Sequence, residues 1–295
     1  MNISPYTITD KVTGNLAFKI DFFKGVNPFH RLQRNNYYTF ILFAKGAGEL
    51  KSSFARIPFT EKGICSFSPY QPYLIEGDKG LEGIAIHFHS DFFCIYRHQH
   101  EVASGGILFN NAYQSPFFYI TEEEYGDFQG RIEQMKTEMA KSELAQHELL
   151  ILHLKIVLIN AIRIRIRERD YKNDFLAGDN TASVLQQLID AIEQHFRHKR
   201  SASNYSDLLR VPGKTLARLT RKHLNKTLTD LISDRIIMEA KRDLYLTSKS
   251  VKEIAHALGF RDEHYFSRFF KKNAYVSPQT YRAKVGEGRE VLLPK

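Results

Sequence analysis

The stretch that most constrains this chain lies near its C-terminus: Ser250-Val-Lys-Glu-Ile-Ala-His-Ala-Leu-Gly-Phe260, then Arg261-Asp-Glu-His-Tyr-Phe-Ser-Arg-Phe-Phe-Lys-Lys272. Ser250 and Glu253 have the spacing of a capping box, in which each side chain satisfies a backbone N–H left open at a helix start. Val251, Ile254, Ala255 and Leu258 then fall on one helical face. Gly259 suits the left-handed residue that stops such a helix. Asp262 can cap a second helix whose apolar stripe is Phe266, Phe269 and Phe270. Its opposite face carries Glu263, His264, Ser267, Arg268 and Lys271. Two short helices, a tight turn and a polar, partly basic outer face describe a helix-turn-helix. The plainer alternative is a helical hairpin with a solvated charged face.

The charge distribution bears on that choice. The chain of 295 residues has a formal net charge of +9. Residues 1–175 hold 20 basic and 20 acidic side chains, whereas 176–295 hold 22 basic and 13 acidic. The whole excess thus accompanies the helix-turn-helix, as a polyanion-binding domain requires, because each neutralised phosphate releases counterions. The length suits two domains, and 43% hydrophobic with 25% charged residues is a globular balance. Two cysteines, Cys65 and Cys94, argue against a disulfide scaffold and fit a reducing cytoplasm. The N-terminus lacks the basic-then-apolar pattern of a signal peptide. The most apolar run, 149–166, is interrupted by His153, Lys155, Asn160, Arg163 and Arg165, so no membrane span is expected.

The first part of the chain reads as β. Tyr37–Phe43, Gly63–Ser68 and Gly83–His89 are strand-like runs, punctuated by glycine and proline turns, which suggests a sandwich, barrel or jelly roll. Helical signals follow from Thr121, which with Glu124 forms another capping box. A longer helix is expected over 146–168. There Leu150, Leu154, Val157 and Ala161 make a coiled-coil-like seam, packed either on its own β domain or on a second subunit. The alternating run Arg163–Arg169 reads as the frayed end of that helix, and the polar segment 171–181 as a linker.

Upstream of the opening motif lies a degenerate copy. Ser206, Leu209 and Val211 match Ala255, Leu258 and Phe260; Leu216, Arg218, Leu219 and Thr227 match Phe266, Arg268, Phe269 and Ser277. The turn of the second unit is one residue longer, and Asn225 sits where a helix-ending left-handed residue is wanted. Residues 228–245 between the units read as one helix of about 27 Å. Adjacent major grooves on one DNA face are about 34 Å apart, so two recognition helices would need some DNA bending or module tilt.

Ile254-Ala-x-x-Leu-Gly-Phe260, Tyr265-Phe-Ser-Arg-Phe-Phe-Lys271 and Ser277-Pro278 with Tyr281-Arg282 resemble the signature of AraC-type transcription regulators over about 182–285. Gly83-x-x-Ile-x-Phe-His89, after Ser68-Pro69 and Pro72, resembles the cupin type of sensing domain found at the N-terminus of that family. The resemblance implies a cytoplasmic regulator, often dimeric, with a small effector bound by the N-terminal domain and possible contact with RNA polymerase. Tyr275 departs from the pattern: the family has glycine there, and tyrosine disfavours the left-handed cap.

The resulting expectation is an α+β chain of two domains. A cupin-like β-barrel or jelly roll with helices would occupy 1–170, a linker 171–181, an all-α tandem helix-turn-helix domain 182–285 and a tail 286–295. Base contacts to double-stranded DNA are expected from Lys214, Thr215, Ala217 and Arg218 on the first unit and Glu263, His264 and Arg268 on the second. Arg221, Lys222, Ser250, Lys271 and Lys272 are expected at phosphates. Tyr38, Phe40, Tyr73 and His87 are candidate effector contacts. His87 and His89, with Cys94, His98 and His100, raise the alternative of a metal-dependent cupin enzyme. No carboxylate follows at strand spacing, Glu101 lying after a turn, so the expectation is no metal, no cofactor and no catalysis.

Overall fold

The computed structural model describes residues 6–10, 14, 16–52, 56–77, 80–95, 98, 107–109, 115–141, 143–176, 180–224 and 226–285, without the side chains of 169–182. His100, Glu101, Asn225 and the tail 286–295 lie outside the described residues. The backbone divides into two compact units, Met1–Phe109 with Pro116–Ile166, and Asn110–Ser115 with Arg167–Lys295.

Among the described residues, nine antiparallel strands build the first unit: β1 (Thr7–Thr9), β2 (Leu16–Lys24), β3 (Tyr38–Lys45), β4 (Gly48–Ser52), β5 (Arg56–Phe59), β6 (Gly63–Phe67), β7 (Tyr73–Gly77), β8 (Glu82–Phe88) and β9 (Phe117–Tyr119). They form a six-stranded sheet in the order β1-β2-β8-β3-β6-β9 and a three-stranded sheet in the order β5-β4-β7. Two cores result from the two-residue period of the strands. Ile41, Phe43, Ala85 and Cys65 face the smaller sheet with Leu50, Phe59, Tyr73 and Ile75. Tyr38, Phe40, Leu42, Ile84, Ile86 and Phe88 face the other way.

That second face is covered by α1 (Glu122–Met139) and α2 (Gln146–Leu176). The α1 start is the expected capping box of Thr121 and Glu124. Leu150, Leu154, Val157 and Ala161 are at most 1% exposed and belong to this core, so the sequence-derived seam is used within the chain. Of the two packings left open for that stripe, the one on its own β domain is the one formed, and the stripe is not free for a second subunit. The run 163–169 is regular helix, not a frayed end. Arg165 is buried, its guanidinium lies 5.0 Å from the Phe118 ring centre, and its Nη1 donates to the Phe117 carbonyl at 3.5 Å. The helix continues through Leu176, into the segment read as linker.

The second unit contains α3 (Asn180–His195), α4 (Ala202–Leu209), α5 (Gly213–Leu224), α6 (Leu228–Leu246), α7 (Val251–Ala257), α8 (Glu263–Ala274) and α9 (Pro278–Val285). Capping boxes start α4 at Ser201 with Asn204, α6 at Thr227 with Asp230, and α7 at Ser250 with Glu253. Leu188, Ile192 and Phe196 join Leu231, Ile232 and Ile236 among the fully buried apolar side chains. Polar groups also link α3 and α6. Arg235 donates to Glu193 at 2.7 Å and to Glu239 at 3.1 Å, while Arg197 reaches Glu239 at 2.6 Å. Arg235 also lies over the Phe196 ring at 4.0 Å.

Candidate nucleic-acid interface

Both helix-turn-helix units close their first helix in the same way. After α7, Gly259 has φ +74°, and the Phe260 N–H donates to the Ala255 carbonyl at 2.8 Å. After α4, Arg210 has φ 53°, and the Val211 N–H donates to the Ser206 carbonyl at 3.1 Å. Each is the long-range bond of a Schellman turn, with a left-handed residue at its corner. The second turn is pinned from outside, because Arg200 Nη2 donates to the Leu258 carbonyl at 2.8 Å and its guanidinium lies 3.8 Å from the Phe260 ring centre.

Asp262 caps α8 as expected, accepting from the His264 and Tyr265 amides at 2.9 and 3.0 Å. These bonds, the His264 one foremost, hold its carboxyl below the ordinary aspartate value. Phe266 and Phe270 anchor α8, and Leu216 and Leu219 anchor α5. At the far end of α8, Tyr275 takes the left-handed cap itself, at φ 65°, with its N–H donating to the Lys271 carbonyl at 2.9 Å. The glycine-like turn therefore forms in spite of the side chain, contrary to the sequence expectation.

With the anchors inward, Lys214, Ala217, Arg218, Arg221 and Lys222 are exposed on α5 and Thr215 is half-buried. On α8, His264, Arg268, Lys271 and Lys272 are exposed and Glu263 is half-buried. Each set thus lies on the solvent side of its second helix. Ser250 differs: its N–H and hydroxyl both engage the Glu253 carboxylate, at 2.7 and 2.8 Å, and its Oγ accepts from the Glu253 N–H. Its hydroxyl serves the cap of its own helix. Arg261, exposed in the second turn, extends the basic surface. It belongs to neither helical stripe, so periodicity gave no reason to select it.

The candidate effector residues separate onto opposite sides of the large sheet. Tyr38 stacks on Phe88 with ring centres 5.1 Å apart, and Phe40 packs towards Phe128 of α1. Both lie in the helix-covered core. Tyr73 and His87 lie on the side facing the small sheet, so the four cannot line one pocket; the two-residue strand period forces the split. The register Lys19↔His87↔Thr39 across β2, β8 and β3 supplies different neighbours. Thr39 Oγ1 is 3.1 Å from His87 Nδ1, Asp21 Oδ2 is 3.5 Å from His87 Nε2, and Lys19 Nζ is 2.7 Å from Asp21 Oδ2. The Tyr37 ring meets His87 edge-on at 5.2 Å.

Burial, outweighing Asp21, lowers the His87 pKa, so the ring is neutral near pH 7. Burial acts to raise Asp21, but hydrogen bonds from His87 and Lys19 bring it below the ordinary value. Tyr37 is pushed up to about 12, by burial and then by Asp21. The Tyr73 hydroxyl is buried and has no well-formed hydrogen bond among the described residues. His89 is turned to Asp91 at 3.1 Å. Among the described residues no group of three His, Cys, Asp or Glu side chains could hold a metal ion. No helix among them is long and apolar enough to cross a membrane.

Residues 205–284 match the family model described as a helix-turn-helix domain. Among curated relatives, the chain is similar to the HTH-type transcriptional activator RhaS of Escherichia fergusonii, 29% identical over 164 residues, which cover 55% of this chain and 53% of that protein. RhaS of Pectobacterium carotovorum is 24% identical over 212 residues, covering 63% and 72%. The chain therefore spans about half the length of the first of these relatives. Among solved structures, the C-terminal domain of AraT, a response regulator from Geobacillus stearothermophilus, is 26% identical over 38% of this chain and 93% of its own, with a TM-score of 0.35. ToxT from Vibrio cholerae is 13% identical over 95% of this chain and 97% of its own, with a TM-score of 0.40. The C-terminal unit, with its two matched turns and two outward basic helices, is a helix-turn-helix domain of the AraC type.

Proposed function

We propose that this chain is a sequence-specific DNA-binding transcription regulator, acting in the cytoplasm, that reads two successive major-groove segments with α5 and α8. The carrying observation is that the candidate base-contact residues of both units project from the outer side of equivalent helices, apolar anchors facing inward. Arg218 and Arg268 can reach guanine bidentately and Glu263 can accept from cytosine N4, while Ala217 can meet a thymine methyl. Arg221, Lys222, Lys271 and Lys272 would hold phosphates and set the register. Helix α6, 19 residues long, spans about 28 Å; with grooves about 34 Å apart, double engagement bends the DNA or tilts the modules.

In this reading the first unit senses and the second acts, joined near 171–181, and the chain binds rather than catalyses. A small effector would sit between the sheets at Lys19, Asp21, Tyr37, Thr39, Tyr73 and His87, where the Tyr73 hydroxyl has hydrogen-bonding capacity to offer. Its binding would bias promoter occupancy or contact with RNA polymerase in a homodimer. Selection of genomic fragments followed by footprinting tests the DNA reading directly. On the selected site, Arg268→Ala should cost about 1–3 kcal/mol and relax the preference at one base pair; unchanged affinity and preference would remove α8 from the base-reading role.

A further inference from the structure

The short loop between α3 and α4 joins the two helix-turn-helix units by a route that bypasses α6. On one side it holds the first unit. The Tyr205 hydroxyl of α4 donates to the Lys199 carbonyl at 2.9 Å, and Ser201 caps α4. The first turn then carries α5 along with α4, because Ser206 Oγ donates to the Val211 carbonyl at 2.7 Å and the Val211 N–H returns to the Ser206 carbonyl. On its other side the loop holds the second unit. Leu258 ends α7, and its carbonyl is one that helix geometry leaves open. Arg200 Nη2 fills it at 2.8 Å, and the guanidinium lies 3.8 Å from the Phe260 ring centre. A Cβ on Gly259 would collide with the Arg197 carbonyl oxygen, so the loop and the second turn meet backbone to backbone. Phe260 packs in turn on buried Phe266 of α8, with ring centres 5.1 Å apart.

We infer that Arg200 is a positioning residue for DNA reading: it fixes the spacing and angle between α5 and α8, so that the pair accepts one separation of the two groove segments. Helix α6 joins the units covalently, and its ends at Thr227 and Thr247 are turns about which either unit could tilt. A second link, from α4 through the loop to the turn before α8, closes that path and removes the freedom. Arginine suits the task because one flat guanidinium can donate to a carbonyl and cover an aromatic face together. A charged donor to a half-buried carbonyl also makes a stronger bond than a neutral one. The inference rests on the two-groove reading proposed above, and adds to it a residue that touches no base or phosphate in that reading.

Tolerance to spacing is the readout. One base pair added between the two segments moves the second by about 3.4 Å and turns it by about 34–36°, more than a base-edge hydrogen bond tolerates. On a selected, footprinted site, the full wild-type chain should lose at least about tenfold in affinity when one pair is inserted or removed. Arg200→Ala should bind the original spacing more weakly and lose most of that penalty, and Arg200→Lys, which keeps the donor, should restore part of it. A merely structural role would lower the melting temperature and weaken every spacing alike. Arg200→Met keeps the apolar stem over Phe260 and serves in place of alanine if alanine unfolds the unit. A second measurement needs no DNA. Spin labels on Asp207→Cys in α4 and Lys252→Cys in α7, both exposed positions, should give one narrow distance distribution by pulsed EPR, broadened by Arg200→Ala; native Cys65 and Cys94 are buried. An equal spacing penalty in wild type and Arg200→Ala, or equally narrow distributions, overturns the inference. Failure of wild type to bind any duplex strikes the regulator reading instead, and the distance distributions alone then decide whether Arg200 braces the two units.

Discussion

The two matched turns of the DNA-binding unit should respond to glycine and alanine with opposite signs. Gly259 is left-handed at φ +74°, and a Cβ there would meet the Arg197 carbonyl oxygen at 2.2 Å and Arg200 Nη2 at 2.8 Å. An ordinary C···O contact is about 3.3 Å, so the backbone after α3 must retreat by about 1 Å. Left-handed strain in a non-glycine residue costs about 1–2 kcal/mol, and forced repacking adds about 1–3 kcal/mol. The loss of unfolded-chain freedom that alanine brings returns about 0.4–1 kcal/mol. Gly259→Ala should therefore destabilise the unit by about 2–4 kcal/mol, a large part of a domain's usual 5–15 kcal/mol. Arg210 holds the equivalent corner at φ 53° with its side chain exposed. Arg210→Gly relieves about 1–2 kcal/mol of strain and loses about 0.5–1 kcal/mol to chain entropy. A small net gain, about 0.5–1 kcal/mol, should remain. Urea unfolding of the full chain, followed by the helical far-UV signal that is concentrated in this unit, measures both. Equal midpoints for wild type and Gly259→Ala, or a clear loss in Arg210→Gly, would refute the equivalence of the two corners.

Glu239 is almost fully buried among Arg197, Arg235 and Arg242, at 2.6, 3.1 and 3.5 Å. Glu239→Ala leaves the largely buried Arg235 with Glu193 as its remaining carboxylate partner among the described residues and should cost about 3 kcal/mol in the same unfolding experiment; a neutral result would show that water reaches the site. The first unit should lose stability in acid in two stages. His87 has a folded pKa below its unfolded 6.5, so the unfolded state takes up the proton first and stability falls as pH drops below about 6.5, by at most about 1.4 kcal/mol per pH unit. Asp21, with a folded pKa below 3.8, contributes stability above that value and loses it as pH falls through the folded pKa. Thermal melts from neutral to acid pH should show a shallower first stage in His87→Gln; an unchanged slope would place the proton elsewhere.

The C-terminal unit was legible because its determinants are local. A capping box, a glycine corner and a phenylalanine stripe each act within one or two helical turns, and the structure places them at Ser250, Gly259 and Phe266. Two corners resisted because tertiary packing overrode propensity: Arg210 and Tyr275 are left-handed without being glycine. The sandwich was legible as strands but not as faces. Along β3 every residue from Tyr38 to Ala44 is buried. Period-two reading needs a polar face for contrast, and Tyr38, Phe40 and Ile41 offer none. The polar row Lys19, Thr39 and His87 appears only through cross-strand register, which no single strand encodes.

Helix α2 shows the same ambiguity in its sharpest form. Leu150, Leu154, Val157 and Ala161 make one three-four stripe; Leu149, Leu152, Ile156 and Ile159 make another, one or two residues away. Either could face the sheet, and a helix apolar on more than one side is normally covered on each. The tie is broken by a few side chains at the ends. Arg165 turns inward onto Phe118 and the Phe117 carbonyl, which fixes the helix rotation and leaves Arg163 and Ile166 outside. Once the rotation is fixed, the inner stripe is used up by the chain's own core. The outer one, with Leu149, Leu152, Ile156 and Ile166, is left exposed by that rotation.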